Sequence, residues 1–141
     1  MNDFFIPSAA GSGGLFFYAR SPDDLTKPIE SFWIRVTDHN LSAVGQVYAT
    51  YASSHPASLF AEMAKQWAGW SDELIWKSLD GELTLRCSHD RRGHISIQIE
   101  LSSAPMPYDW RVVVTVMAEA GQLENIARHA AKFVGCAECK N

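Results

Sequence analysis

In "FWIRVTD", Phe32, Ile34 and Val36 alternate with Trp33, Arg35 and Thr37, the period of two that predicts a strand with one buried face. The "DHN" that follows turns the chain into "LSAVGQVYATY", where Val44, Val47, Tyr48 and Tyr51 continue a β-rich run. A hairpin is the economical reading. In "SSHPASLFAEMAKQWAGW" the period lengthens. Pro56 suits a first helical turn, and Leu59 or Phe60, Met63, Trp67 and Trp70 recur three or four apart, which predicts a helix with one apolar stripe, ended by Gly69 and "SDE". Beyond Trp76 and the "LDG" turn, Leu83, Leu85 and Cys87 share a face of one strand, and Ile95, Ile97, Ile99 and Leu101 share a face of the next. After "APMPYD", the nearly continuous apolar run "WRVVVTVMA" predicts a central strand covered on both faces. The last element is the clearest: Leu123, Ile126, Ala127, Ala130, Phe133 and Val134 in "EAGQLENIARHAAKFV" fit a 3.6-residue stripe.

These elements predict an α+β fold, an antiparallel sheet of five or six strands with two helices packed mainly on one face. The 141 residues fit a single domain, 1–141. Residues 1–30 read as an irregular segment laid across the body, apart from the strand candidate "LFFYA", and 135–141 as a mobile tail. A hydrophobic fraction of 47% excludes disorder, and no apolar run is long enough to span a membrane. Asp3 stands where a signal peptide needs a basic region, and the three cysteines suit a reducing compartment, so the expected location is the cytoplasm. The net charge of −4 argues against nucleic acid and permits a basic partner.

Candidate chemistry concentrates in "RCSHDRRGHISI", which gathers His89, Asp90, Arg91, Arg92 and His94 between two strands. Asp and Gly in "DRRG" are what a short hairpin loop needs, so a turn explains the composition. His89 and His94 flank that loop and are weak metal candidates, because zinc takes three or four ligands and two histidines do not make a site. "CAEC", with Cys136 and Cys139, follows a helix C-terminus, where the dipole disfavours the thiolates of a redox pair. A zinc site joining it to Cys87 or a histidine needs the tail to fold back, and one CxxC is half of the strong signal. No cofactor is expected.

Trp67, Trp70 and Trp76 cluster within ten residues, with Trp33 and Trp110 on strands. Their first explanation is anchoring the helix to the sheet; the alternative is an exposed hot spot for a protein partner. Carboxylates stand at Glu62, Asp80, Glu82, Asp90, Glu100 and Glu119, and alternation assigns Glu82 and Glu100 to the faces opposite the apolar rows, toward solvent. HExxH, GxSxG, Walker A and GxGxxG patterns are absent from the sequence.

"GELTL", "HD..GH" and "EAGQLE", within a stretch from Phe32 to Phe133, resemble an uncharacterised bacterial domain family of unknown function. The ground plan, a "G.L.L" strand, a "D..G.I" hairpin, a tryptophan-containing strand and a helix beginning near an acidic residue, looks like small immunity proteins of bacterial toxin systems. That likeness implies a cytoplasmic, non-enzymatic protein that neutralises a cognate toxin by binding it, and the acidic bias suits a basic toxin. Partner-binding candidates are the hairpin tip, Asp90, Arg91 and Arg92, with the exposed members of Trp67, Trp70 and Trp76. A small metal-binding protein or enzyme using His89 and His94, and a structural homodimer, stand as alternatives. A converging polar pocket would favour the enzyme, and a ridged aromatic patch the binder.

Overall fold

The computed structural model describes residues 3–9, 11–49, 56–103 and 108–135. Tyr51 and the "CAEC" cysteines lie outside these residues, as does most of the tail. Two four-stranded antiparallel sheets replace the expected single sheet. The first contains β1 (Phe4–Pro7), β2 (Gly14–Ser21), β3 (Ser31–Asp38) and β4 (Leu41–Tyr48), paired in chain order. The second contains β5 (Leu74–Lys77), β6 (Leu83–His89), β7 (His94–Ser102) and β8 (Arg111–Glu119), also in chain order. Between them runs α1 (Ala57–Lys65), and α2 (Leu123–Val134) follows β8. Alternation tells which face of a strand is buried, but not which strand lies beside it. Here α1 interrupts the run of strands, and each half pairs within itself.

Residues 1–30, expected to be irregular, supply β1 and β2, so the strand candidate around Phe16 and Phe17 is half of a hairpin. Phe4 and Phe17 stack with ring centroids 4.6 Å apart, and Phe60 of α1 and Phe133 of α2 meet Phe17 edge-on at 6.2 and 6.0 Å. Both helices therefore bury their stripes against each other and against the first sheet, while α1 also touches β5. In the second sheet, the apolar rows at Leu83, Leu85 and Cys87 and at Ile95, Ile97, Ile99 and Leu101 are fully buried and join the same core.

Three local expectations change. Helix α1 stops at Lys65, where Gln66 leaves helical geometry and its N–H bonds the carbonyls of Glu62 and Met63, so Trp67 and Trp70 lie beyond the stripe. Strand β8 ends its sheet and is not central: Val113 is half-exposed, and only Val114, Val116 and Ala118 are buried. Part of its outer edge is covered by β1's extension, since Ala9 N–H donates to the Met117 carbonyl at 2.7 Å and Met117 N–H to Ser8 Oγ at 3.2 Å. Finally, Glu82 is 1% exposed. Its carboxylate accepts from the Ser78 hydroxyl at 2.7 Å and from the Tyr48 N–H at 3.1 Å, tying β4 to the second sheet. It precedes β6 in the turn, where strand alternation does not apply. Glu100 does lie on the outward face, between Arg86 at 3.5 Å and Arg111 at 3.1 Å.

Helix α2 opens through a capping box, with Glu119 N–H donating to Gln122 Oε1 at 2.8 Å. Its other end is held by Arg20, a residue that nothing in the local pattern marks. The buried guanidinium donates to the carbonyls of Phe133 at 2.8 Å and Val134 at 2.6 Å, and to those of Pro22, Asp24 and Lys27 in the following loop. It thus satisfies terminal helix carbonyls that have no partner within the helix. Gly135 has φ +90°, and a Cβ there would lie 2.5 Å from the Leu25 carbonyl oxygen, so only glycine fits beside this clamp. No helix among the described residues is long and apolar enough to cross a membrane.

Candidate functional site

The β6–β7 hairpin ends in the loop that the sequence singles out. Two residues there take positive φ, Arg91 at 63° and Gly93 at 91°. Asp90 organises the loop: its Oδ1 accepts from the N–H groups of Arg92 at 2.7 Å and His94 at 3.0 Å, and its Oδ2 pairs with His94 Nδ1 at 2.7 Å. The Arg92 N–H foremost, then the backbone and imidazole of His94, hold the Asp90 carboxyl down to about 2. This is the Asx-turn chemistry expected of Asp at such a position.

His89 is committed elsewhere. Its Nδ1 accepts the Arg91 N–H at 2.7 Å, which leaves the proton on Nε2 to donate to the Trp67 carbonyl at 2.9 Å. Both ring nitrogens are therefore engaged by backbone, and a metal would have to displace one of these bonds. His94 points its Nδ1 back at Asp90. Among the described residues no three metal-binding side chains gather. Cys87, the buried member of the zinc alternative, faces the core, where burial pushes its thiol up to about 12.

Contacts on two sides fix the tip. Arg91 Nη2 donates to Ser71 Oγ at 3.3 Å, and Arg91 also lies against Gly69, where an added Cβ would be 3.0 Å from its Cγ. On the other side, Ala120 N–H, in the turn that starts α2, donates to the Gly93 carbonyl at 2.8 Å. The hairpin is thereby wedged between the end of α1 and the start of α2. A groove between these ends is lined by Ala61, Ala64, Lys65 and Trp67 on one side and Ala120, Gly121 and Glu124 on the other.

The tryptophan set divides. Trp70 is buried, its Nε1–H donating to the Cys87 carbonyl at 3.0 Å and its ring meeting His89 edge-on at 5.0 Å. Trp76 is buried on β5 opposite Leu85. Trp67 alone of the three stays out, 64% exposed, joined by its carbonyl to the hairpin. The structure thus brings Asp90, Arg91, Arg92 and Trp67 into one neighbourhood and assigns Trp70 and Trp76 to the core.

Sequence reasoning missed a second group. On the outward face of the first sheet, Phe5 pairs with Phe16, Phe16 with Arg35, Tyr18 with Trp33, and Trp33 with Gln46. The signal was present in "FFYA" and "FWIRV", where aromatic residues occupy both phases of the alternation.

A model of a family described as "Family of unknown function (DUF6228)" matches residues 7–137. No curated protein and no solved structure matches the chain.

Proposed function

This chain belongs to the DUF6228 family, whose function is unknown, and from that premise we propose that it is a non-enzymatic protein-binding module. Its role is that of a bacterial immunity protein, neutralising a cognate toxin in the cytoplasm by occupying it. The observation that carries this reading is the wedged hairpin tip with Trp67, 64% exposed, beside it. Tryptophan and arginine are the side chains most often found as binding hot spots. A surface already held by hydrogen bonds on both sides loses little conformational freedom when a partner arrives.

The test is capture of the partner from the native host, with the purified pair then assayed for toxin inhibition. The wild-type chain should recover a toxin in stoichiometric amount and abolish its activity. A triple variant, Trp67→Ala with Arg91→Glu and Arg92→Glu, should weaken that binding about tenfold or more, or about 1.4 kcal/mol, while still unfolding cooperatively. Undiminished affinity in the folded variant would remove the hairpin tip from the interface. A partner that is bound but not inhibited would leave the binding module standing and overturn the immunity role.

A further inference from the structure

We propose that the outward face of the first sheet is a second docking surface, and that it takes a protein partner presenting a carboxylate within an apolar patch. The starting point is a departure from the usual rule. An antiparallel sheet with one face on the core normally turns polar side chains to water on the other. The second sheet largely follows that rule: its outward rows hold Lys77, Arg86, Gln98, Glu100 and Thr115, with only the single aliphatics Ile75 and Val113 exposed among them and no aromatic ring. The first does not. Its outward positions form rows in register: Phe5, Phe16, Arg35 and Val44 in one, Tyr18, Trp33 and Gln46 in the next, then Ser31 and Tyr48.

The aromatic side chains form a continuous platform. Phe16 stacks on Tyr18 at 5.0 Å, Phe5 meets Phe16 edge-on at 6.3 Å, and the Arg35 guanidinium lies 5.5 Å from the centre of the Tyr18 ring. Phe5 and Tyr48 are exposed, and Phe16, Tyr18 and Trp33 are half-buried. A contiguous exposed apolar patch of this kind marks an interaction site more often than a bare surface. Aromatic residues and arginine at the centre, with carboxylates kept to the edge at Asp3, is also the composition of an interface core.

Charge selects the occupant. Arg35 is the one charged side chain within these paired rows, with the exposed Asp3 at their edge beside Tyr18, and it makes no ion pair with any described residue. On a chain of net charge −4 the centre of this face carries a cation. A second copy docking through a two-fold axis would offer Arg35 the same paired rows, which hold no carboxylate. Single-stranded nucleic acid also stacks on aromatic platforms, but it is held by a line of cations following its backbone, and one arginine is not a line. A carboxylate beside apolar groups satisfies both features: it pairs with the guanidinium, and its apolar neighbours cover the rings. This face shares no residue with the hairpin tip, so either assignment can fail without the other.

The experiment is selection from a random dodecapeptide display library on the full chain. Baits are the wild type, Arg35→Glu, Arg35→Gln, Trp33→Ala and, as a control, Arg91→Glu, each checked for cooperative thermal unfolding. Enriched peptides should combine Asp or Glu with aromatic or aliphatic residues. As synthetic peptides they should bind Arg35→Gln and Trp33→Ala about tenfold or more weakly, and Arg91→Glu as well as wild type. The Arg35→Glu bait should instead enrich Lys or Arg. No enriched sequence, or peptides indifferent to Arg35 and Trp33, would overturn the proposal. A wild-type dimer in sedimentation that Trp33→Ala dissociates would overturn it in favour of a second copy. Saturable oligothymidylate binding lost in Arg35→Gln would do so in favour of nucleic acid.

Discussion

Phe16 and Phe17 are neighbours in β2, as Ile97 and Gln98 are in β7, and in each pair one side chain points to the core and the other away. Inward, the two strands are alike: Phe17 and Ile97 have no exposed surface and belong to one cluster. Outward, an aromatic ring stands on one sheet and an amide on the other. Folding dictates the inward choice, because each side must fill the same core. It does not dictate the outward choice, since β7 shows that a polar side chain serves there. The aromatic outward face therefore reports a demand other than the core.

The sharpest way to break this comparison is to truncate the neighbours separately. Phe17→Ala, which leaves a void among Phe4, Phe32, Phe60 and Phe133, should cost about 3–5 kcal/mol in urea unfolding. Phe16→Ala should cost no more than about 1 kcal/mol, in the range of surface changes and lost ring pairs. Equal costs would mean that the outward aromatics are core, and the contrast between the faces would collapse. Next in size is the contrast between two carboxylates of the second sheet. Glu82→Ala strands the Tyr48 N–H and the Ser78 hydroxyl. At about 1–3 kcal/mol per stranded group, it should destabilise by about 2–4 kcal/mol. Glu100→Ala, removing partly exposed ion pairs to Arg86 and Arg111 on the outward face, should change stability by about 1 kcal/mol or less. Equilibrium unfolding of the two variants side by side distinguishes these outcomes.

The smallest effect is a pH dependence at the hairpin tip. Folding lowers the Asp90 carboxyl from its ordinary 3.8 to about 2, so the folded state favours the ionised form. Its contribution to stability is complete above the higher value and is lost as pH falls through the lower one. The difference in melting temperature between wild type and Asp90→Asn should therefore shrink across that window and stay constant above it. A difference that persists at the acid end would show that the loop does not depend on this carboxylate.

Much of the fold was legible because alternation and helical periodicity report burial directly. The rows Phe32, Ile34, Val36 and Ile95, Ile97, Ile99 read correctly from spacing alone, as did α2. What spacing does not carry is partnership at a distance. Two sheets instead of one, β8 at the end of its sheet, and the Tyr48–Glu82 bond between sheets all depend on which segments meet. The extended stripe through Trp67 and Trp70 fitted a helix, but the backbone leaves helical geometry at Gln66, and tertiary bonds from His89 and to Cys87 place those tryptophans. The hairpin was legible for the opposite reason: Asp90 and Gly93 act on residues within a few positions of themselves. The aromatic outward face was visible as residues and hidden as a surface, since it exists only once β1, β2 and β3 are in register.

Arg20 connects the early part of the chain to its last helix, across 113 residues to Phe133. During synthesis from the N-terminus, the first sheet is complete long before those carbonyls exist. Phe4, Phe17 and Phe32 likewise wait for Phe133 to cover them. A nascent chain halted before α2 would leave the side of these rings that Phe133 covers open, with only Phe60 of α1 against Phe4 and Phe17, and the clamp would hold only its loop. Packing of the first sheet against both helices is therefore a late event, which waits for α2 to be made whatever the order of the strands.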